Sequence, residues 1–353
     1  NEDGTVTFRH QAPKAVKVTV SGDFLPTQQI KYNMNGQEMT FDAPGVAELK
    51  EGPRGVWEYT TDFKVAPEMY TYTFNVDGNT VIDNNNMWVN RDVSSLTSAF
   101  IVPGERADLY TIQDVPHGTV SKVWYESATA GFDRRLSVYT PAGYNPTAKT
   151  RYPVLYVLHG IGGDEDAWIA QGRAAQILDN LIAQGKAVPM IVVMPYGNVF
   201  GSTPSPTTLA AAKMYQKFEQ ELTECVMPFV EKNFRTKNNR ESRAIAGFSR
   251  GGGQSLYSVY SNFDKFAYLA SYSAYLTPEV MDTYFPDLQS KMSQLKLMWF
   301  GVGTSDFLYQ NVLDHQNYFD EKGIKYEKMF TEGGHTWMNA RTYLAETLQK
   351  FFK

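Results

Sequence analysis

The chain has 353 residues, more than twice the length of a common domain, so its length predicts two domains. Hydrophobic residues make up 42% and charged residues 20%, which excludes a disordered or collagen-like chain. The net charge is −5 with both signs interspersed, and no apolar run reaches the ~18 residues of a membrane span, so we expect neither nucleic-acid binding nor membrane insertion.

The first hundred residues predict a β-sandwich. Apolar and polar residues alternate from Thr5 to about Ile101, as at Val16 and Val18, and a period of two is typical of half-buried strands. Turn-forming residues separate the runs, and no window has a sustained helical period. We therefore predict an antiparallel β domain over residues 1–102.

A polar segment over residues 103–117 predicts a linker, and a second domain follows over residues 118–353. In this second domain short apolar runs alternate with helical stretches, which is typical of an α/β fold with a mostly parallel sheet and helices on both faces. The predicted strands are Leu136–Tyr139, Val154–Leu158, Met190–Met194, Arg243–Phe248, Phe266–Ser271, Leu297–Val302 and Tyr326–Phe330.

One helix is predicted with a clear apolar stripe, over Met214 to Phe234. Pro228 lies inside this stretch. Because proline lacks the backbone N–H and its ring crowds the preceding turn, the sequence predicts a kink or a break there.

The segment Gly247-Phe248-Ser249-Arg250-Gly251 has the form G-x-S-x-G and lies between a buried strand and a helical run. Such a strand turns into a helix within a residue or two, which places the serine on a strained backbone. Glycines on both sides allow the two elements to pass closely. The serine hydroxyl then lies at a helix N-terminus, beside the backbone N–H of the next residue. We predict Ser249 as a nucleophile and the N–H of Arg250 as an oxyanion donor.

A serine at neutral pH needs a base, and the chain offers five histidines. In α/β-hydrolases the acid and the histidine follow the serine along the chain, which leaves His315 and His335. His335 follows a predicted strand in a Gly-Gly-His loop, where such sheets present their chemistry. His315 lies mid-helix, and we interpret it as a solvated helix residue. The sequence therefore predicts His335 as the base.

The acid should follow the strand before the one that precedes the histidine. Asp306 occupies that place, after the strand Leu297–Val302. Asp314 is the alternative, but it belongs to the following helix and has the pattern of a surface charge. We predict Asp306 as the carboxylate that orients His335.

A second oxyanion donor is predicted from His159-Gly160-Ile161-Gly162-Gly163, which follows an early strand. We predict the N–H of Ile161, with Gly160 and Gly162 as alternatives. His159 is expected to orient this loop by hydrogen bonding and to take no part in proton transfer.

Neither a metal nor a cofactor is predicted. Asp164, Glu165 and Asp166 are interpreted as the N-terminal cap and dipole partners of the helix that follows them. The chain has no His-Glu-x-x-His or Cys-x-x-Cys motif, and its single cysteine, Cys225, excludes an internal disulfide.

With these motifs, residues 118–353 resemble carbohydrate esterase family 1, an α/β-hydrolase group that contains feruloyl and acetylxylan esterases and is related to enterobactin-type siderophore esterases. The resemblance implies hydrolysis of esters on plant xylan through a Ser-His-Asp set, with ferulate or a similar hydroxycinnamate as the preferred acyl group. Arg250 departs from the methionine or hydrophobe that often follows the nucleophile in these esterases. Five aromatic residues near the motifs are predicted to contact the acyl ring: Trp168, Phe200, Phe307, Tyr309 and Trp337.

Residues 1–102 resemble the immunoglobulin-like modules called carbohydrate-binding module 48, through Val20-Ser21-Gly22-Asp23-Phe24 and neighbouring motifs. The resemblance implies glycan contact by this domain. Trp57 and Tyr72 have framework positions and are expected in the core, whereas Trp88 in an Asn-rich loop is the aromatic to test for sugar binding.

Three other functions stay open: an acetylxylan esterase, a siderophore esterase, and a glycan-binding protein on an inactive hydrolase scaffold. The chain starts at Asn1 without a basic and apolar leader, so either it is cytosolic or a signal has been removed. Because the implied substrate is polymeric, we expect a secreted or periplasmic protein.

Overall fold

The computed structural model describes four stretches of the chain, which are residues 1–34, 37–92, 95–199 and 209–353. Two compact units divide the chain, Asn1–Thr111 and Ile112–Lys353. The predicted linker over residues 103–117 spans the boundary between them.

Residues of the predicted linker pack on the unit to which they belong, on each side of the boundary. Before the boundary, Glu105–Leu109 forms a 3-10 helix, and Tyr110 is fully buried with its hydroxyl bonded to the Glu68 carboxylate. After the boundary, His117 Nδ1 lies 3.0 Å from Asp179 Oδ2 in the second unit.

The first unit is all β, apart from 3-10 turns. A three-stranded antiparallel sheet has the order β1-β7-β6, a second sheet has the order β10-β11-β8-β2-β5 with β9 beside β8, and β3 and β4 form a hairpin. The strands are β1 Thr7–Gln11, β2 Val18–Gly22, β3 Gln28–Met34, β4 Gln37–Ala43, β5 Gly45–Glu48, β6 Lys50–Glu51, β7 Val56–Thr60, β8 Glu68–Val76, β9 Asn79–Val81, β10 Val89–Asp92 and β11 Ser95–Val102.

Aromatic rings join the two larger sheets of this unit. Phe8 on β1 lies with its ring centroid 5.1 Å from that of Tyr72 and 5.5 Å from that of Phe100, both on the second sheet. Tyr72 and Trp57 are less than 10% exposed, which confirms that both belong to the core. Trp88 is 42% exposed. Burial of aromatic faces between sheets is what gives such a small β unit its core.

The second unit is built on one sheet of eight strands in the order β12-β13-β15-β14-β16-β17-β18-β19. The first three strands in this order pair antiparallel, and every pair from β15-β14 onward is parallel. The strands are β12 Thr119–Ser127, β13 Phe132–Thr140, β14 Val154–Leu158, β15 Ile191–Pro195, β16 Arg243–Phe248, β17 Tyr268–Tyr272, β18 Leu297–Gly303 and β19 Glu327–Thr331.

Helices connect the parallel strands, as crossover connections require. The helices are α1 Ala167–Ala170, α2 Ala174–Ala183, α3 Leu209–Gln220, α4 Met227–Asn233, α5 Arg250–Ser261, α6 Pro278–Tyr284, α7 Leu288–Met292, α8 Tyr309–Glu321 and α9 Trp337–Leu348. A π-helical turn, Glu221–Val226, joins α3 to α4 just before Pro228. The chain thus stays helical through Pro228, which lies in the first turn of α4, and the irregularity is a π-helical turn before the proline in place of the predicted kink or break.

All seven predicted strands are present, and β14, β15, β17 and β18 are buried at every residue. The sequence missed β12, which is an edge strand whose side chains alternate only weakly between buried and exposed. Within the four described stretches, no helix combines the length and apolar composition of a membrane span. In the same stretches, no three His, Cys, Asp or Glu side chains are grouped to hold a metal ion.

Candidate active site

The predicted site residues lie on loops at the carboxyl ends of neighbouring strands. Gly160 follows β14, Ser249 follows β16, Asp306 follows β18 and His335 follows β19. Because these strands are parallel, their carboxyl ends lie along the same edge of the sheet. Open α/β sheets bind their ligands at this edge.

Ser249 has the strained backbone that its motif predicts. Its φ of 57° and ψ of −126° lie outside the regions that side-chain-bearing residues normally adopt. A backbone conformation of this kind costs on the order of 1–3 kcal/mol of folding free energy. The Ser249 N–H donates to the Tyr272 carbonyl at 2.8 Å, which anchors the turn to β17. Helix α5 begins at the next residue, and the N–H groups of Gly252 and Gly253 donate to the Ser249 carbonyl. The N–H groups of Arg250 and Gly251 bond to no described residue and remain available to an anion.

The turn also depends on Gly251. A β-carbon there would lie 2.4 Å from the Leu158 carbonyl oxygen, which is backbone and cannot move aside. We therefore expect Gly251→Ala to lower the free energy of unfolding by about 3 kcal/mol, as overpacking does. Gly185→Ala is the control, because Gly185 has a φ of 68° but no atom near its β-carbon position; it should lose only about 1 kcal/mol. Equal losses in urea titrations would contradict a steric role for Gly251.

His335 and Asp306 form a hydrogen-bonded pair. His335 Nδ1 lies 2.9 Å from Asp306 Oδ2 and 3.1 Å from Oδ1, and the Asp306 side chain is fully buried. A carboxylate can only accept, so Nδ1 carries the proton and Nε2 presents a lone pair. This tautomer is the one that can take a proton from an alcohol. The runner-up, Asp314, is exposed and accepts from the Gln310 amide.

Backbone hydrogen bonds join the two loops that carry this pair. The Ser305 N–H donates to the Gly333 carbonyl at 3.0 Å. Asn339 on α9 is buried and donates to the carbonyls of Glu332 and Gly334, each at 3.0 Å. Sequence reasoning missed Asn339, because a lone amide in a helix gives no local signal of the loop that it holds.

Aromatic contacts place the His335 ring beside the Ser249 turn. Its centroid lies 4.7 Å from that of Phe248, the residue before the serine, and 4.6 Å from that of Phe307. In the described part of the chain, the Ser249 hydroxyl makes no hydrogen bond, and neither does His335 Nε2. Catalytic hydrogen bonds are often loose in unliganded enzymes and tighten when substrate binds.

The predicted oxyanion loop packs against the serine. A β-carbon on Gly160 would lie 3.7 Å from Ser249 Oγ. His159 Nδ1 donates to the Gly160 carbonyl at 2.8 Å, and its Nε2 accepts from the Gly197 N–H at 2.8 Å. Burial lowers the pKa of His159 to about 4, helped by the nearby Arg250 cation. His159 is therefore a neutral residue that orients the loop, as predicted.

A buried ion pair supports the neighbouring loop after β15. Arg134 and Glu221 lie 3.1 Å apart, both almost inaccessible, and Arg134 also donates to the carbonyls of Tyr196 and Asn198. Glu221 belongs to the π-helical turn, a feature often found at functional sites. The pair spans 87 positions of sequence, and sequence reasoning did not find it.

The five aromatic residues that we predicted to contact the acyl group differ in burial and in their neighbours. Phe307 is 67% exposed against His335, and Trp337 is half-buried against Phe248. Trp168 is 1% exposed with its indole N–H bonded to a backbone carbonyl, so it lies in the core and not on an accessible surface. Tyr309 is half-buried against Phe330, and Phe200 lies outside the described residues.

The interpretation of His315 as a solvated residue is wrong. It is fully buried on α8, where Nδ1 accepts from the Leu276 N–H at 3.0 Å and Nε2 lies 3.2 Å from the Tyr260 hydroxyl. Burial among aromatic rings lowers its pKa to about 3. His315 is a structural histidine, whereas the His335 ring stacks on Phe248, the residue before Ser249.

The low pKa of His315 predicts acid sensitivity. An unfolded histidine takes up its proton near pH 6.5. The stabilising contribution of His315 is therefore complete above that pH and is lost as the pH falls towards 3, by up to about 1.4 kcal/mol per pH unit. We expect His315→Gln to flatten the dependence of unfolding free energy on pH between 6 and 4. Its stability at pH 8 controls for lost packing, and an unchanged slope would contradict the buried neutral state.

The prediction that residues 164–166 cap a helix holds only for Asp164, whose Oδ1 accepts from the Asp166 N–H at 3.0 Å. Asp166 precedes α1 but makes no capping bond with its side chain. Instead, Asp166 pairs with Lys122 and Glu165 with Arg135, both on the adjacent antiparallel strands. The sequence did not reveal these ion pairs because their partners are far apart along the chain. Helix α1 has only four residues, so a side-chain cap would have little helix to stabilise.

A hydroxyl on a strained turn, an imidazole with a free lone pair and unpaired backbone N–H groups at one sheet edge can together attack a carbonyl and bind the resulting oxyanion. This is the geometry of α/β-hydrolases that use a serine nucleophile. The family model for Esterase matches residues 127–351. The chain belongs to this esterase family.

Individual curated proteins and solved structures are also similar to this chain. A xylanase/feruloyl esterase of Xylanibacter ruminicola is 30% identical across the whole chain, but the chain covers only 45% of that protein. The chain thus spans less than half the length of the curated relatives that it matches. The solved ferulic acid esterase of Anaeromyces mucronatus is 25% identical with a TM-score of 0.61, over 69% of this chain and 95% of its own. An enterobactin esterase from Shigella flexneri shares the fold over 99% of this chain and 93% of its own, with a TM-score of 0.60 and 15% identity.

Proposed function

We propose that the protein is a serine esterase that releases ferulate or a related hydroxycinnamate from arabinoxylan, with Ser249, His335 and Asp306 as the catalytic residues. The observation that carries this proposal is the Asp306–His335 pair, at 2.9 Å, beside a serine on a strained turn. The acyl group is taken from relatives whose names include feruloyl or ferulic acid esterase.

The first half-reaction transfers the acyl group to the enzyme. His335 Nε2 removes the hydroxyl proton of Ser249, and Oγ forms a bond to the ester carbonyl carbon while the carbonyl oxygen becomes an oxyanion. The N–H groups of Arg250 and Ile161 bind this oxyanion. The imidazolium of His335, stabilised by the Asp306 carboxylate, then protonates the sugar oxygen as the ester bond breaks.

The second half-reaction returns the enzyme to its starting state. A water molecule takes the place of the sugar alcohol, and His335 removes one of its protons as the oxygen attacks the acyl carbon. The same N–H groups bind the second oxyanion. The proton then passes from His335 to Ser249 Oγ, which leaves as the free acid is released.

An exposed ring beside the histidine supports an aromatic acyl group. Phe307 is 67% exposed and touches the His335 ring, and Trp337 lies at the edge of the same cluster. A planar phenolic ring can stack on such side chains. We propose Phe307 and Trp337 as acyl contacts, with Tyr309 at the start of α8 as a further candidate. Phe200 stays a prediction from the sequence, because it lies outside the described residues.

We further propose that the first unit is an immunoglobulin-like module of the carbohydrate-binding type. Its all-β sheets and the exposed Trp88 support glycan contact. A polymeric substrate outside the cell also supports a secreted or periplasmic location. Affinity electrophoresis in xylan-containing gels tests the module. If it binds the polymer, we expect Trp88→Ala to abolish the retardation of the protein by xylan and to leave hydrolysis of small esters unchanged.

The function is tested by comparing substrates on the wild-type protein. We expect kcat/KM for feruloylated arabinoxylan fragments to exceed that for 4-nitrophenyl acetate, with Ser249→Ala as the control for serine-dependent turnover. A preference for acetylated xylan would instead identify an acetylxylan esterase. Release of catechol-containing acids from a trilactone, without activity on ferulate esters, would identify a siderophore esterase.

A further inference from the structure

The guanidinium of Arg250 is a buried cation without a carboxylate partner. The residue is 3% exposed, and its Nε lies buried with no hydrogen bond. Nη2 donates to the Gly160 carbonyl at 3.4 Å, and no ion pair with Arg250 occurs among the described residues. Residues 200–208, outside those stretches, contain no Asp or Glu. Burying an unpaired charge is unfavourable, so the fold retains this cation at a cost.

The Gly160 carbonyl receives two buried donors, Arg250 Nη2 and His159 Nδ1. The described part of the chain has no cis peptide, and in a trans peptide the N–H points away from the carbonyl oxygen. The N–H of Ile161 therefore points away from the buried donors, and it bonds to no described group. Gly160 itself packs against Ser249, where a β-carbon would lie 3.2 Å from the serine β-carbon.

We propose that the Arg250 side chain is a positioning residue for the oxyanion site, because with His159 it fixes the Gly160–Ile161 peptide so that the Ile161 N–H meets the oxyanion. The inference rests on the serine-esterase function proposed above. Donation to a carbonyl polarises its peptide and strengthens the attached N–H as a donor. The unpaired charge also favours a negative oxygen nearby.

This role affects the transition state more than substrate binding. The ester carbonyl is neutral in the bound substrate, and negative charge develops only as Ser249 Oγ attacks and the carbonyl electron pair moves to oxygen. An interaction that strengthens with that charge raises kcat and leaves KM nearly unchanged. Removing a buried unpaired cation should at the same time leave stability equal or higher.

The test compares Arg250→Met with Arg250→Lys in the full chain, with 4-nitrophenyl acetate and methyl ferulate as substrates. Methionine is a side chain that related esterases often have at this position, so the fold should accept it. We expect Arg250→Met to lower kcat roughly 10-fold with KM within about 2-fold, and to unfold at the same or a higher temperature. Arg250→Lys, which keeps the charge, should recover kcat to within about 3-fold of wild type.

A boronic acid gives a second measurement, because its tetrahedral adduct with serine places an oxygen in the oxyanion site. The inhibition constant for phenylboronic acid should rise by about the same factor as kcat falls. Arg243→Met is the matched control. Arg243 is the first residue of β16, the strand that ends just before Ser249, and it pairs with Glu231, so its loss should reduce stability and leave kcat within about 2-fold.

The outcomes separate the two proposals. Wild-type protein without Ser249-dependent hydrolysis would overturn the esterase function itself. An active wild type in which Arg250→Met keeps kcat and boronic acid affinity would overturn only the role of Arg250. A variant with lower stability and a proportionate loss of folded protein, but normal kcat per folded molecule, would show that Arg250 is purely structural.

Discussion

Ser249→Ala is expected to lower kcat for ester hydrolysis by about 10⁵-fold or more, because no other group can form the acyl-enzyme. The substitution removes one oxygen from a side chain that makes no hydrogen bond to any described residue, so the fold should be retained. Turnover of methyl ferulate and labelling by a fluorophosphonate measure the effect. Both signals should disappear together.

Ser258→Ala is the matched control for this change. Ser258 lies on α5, the helix that Ser249 precedes, and its buried hydroxyl has no partner within the described stretches. Its removal should leave kcat and labelling unchanged. If the Ser249 variant, folded, kept more than a few per cent of wild-type turnover, the nucleophile would have to be sought elsewhere.

Asp306→Asn is expected to reduce kcat by about 10⁴-fold while the fold stays intact. Asp306 Oδ1 accepts from the Leu308 N–H at 2.8 Å, so the amide oxygen of an asparagine should keep that place. Its NH₂ would then occupy the position of Oδ2, which lies 2.9 Å from His335 Nδ1. A donor there forces the ring proton onto Nε2, and the lone pair that serves as base is lost.

Asp314→Asn provides the control and decides between the two acids. Asp314 is exposed, so neutralising it should change kcat less than about 2-fold. Steady-state kinetics on both variants, with circular dichroism to monitor folding, make the comparison. A large loss at position 314 with normal activity at position 306 would reverse the assignment of the acid.

Local patterns in the sequence predicted the strands of the second unit well. Fully buried parallel strands are continuous apolar runs bounded by turn residues, so β14 and β16 were predicted with the same bounds that the structure shows. The Ser249 turn was predictable for a similar reason, because its two glycines and its place between strand and helix are local. The order of acid and base followed from the chain order of the fold.

Interactions between distant residues were beyond such patterns. The burial of His315 arises from Tyr260 and Phe300, which come from other elements of the sheet and its helices. The Arg134–Glu221 pair and the role of Asn339 likewise depend on tertiary contacts. A polar residue in a helix pattern is usually solvated, and only the assembled fold shows which ones are not.

The placement of the reacting groups has a consequence for how activity develops during refolding. His335 follows β19, the edge strand at the far end of the sheet from β12, and among the described strands β19 pairs with β18 alone. Parallel pairing joins residues far apart in the chain and forms slowly, so helices and local turns should appear before the sheet is complete. Enzymatic turnover should thus recover later than far-ultraviolet dichroism after dilution from denaturant, because it reports the docking of the last strand.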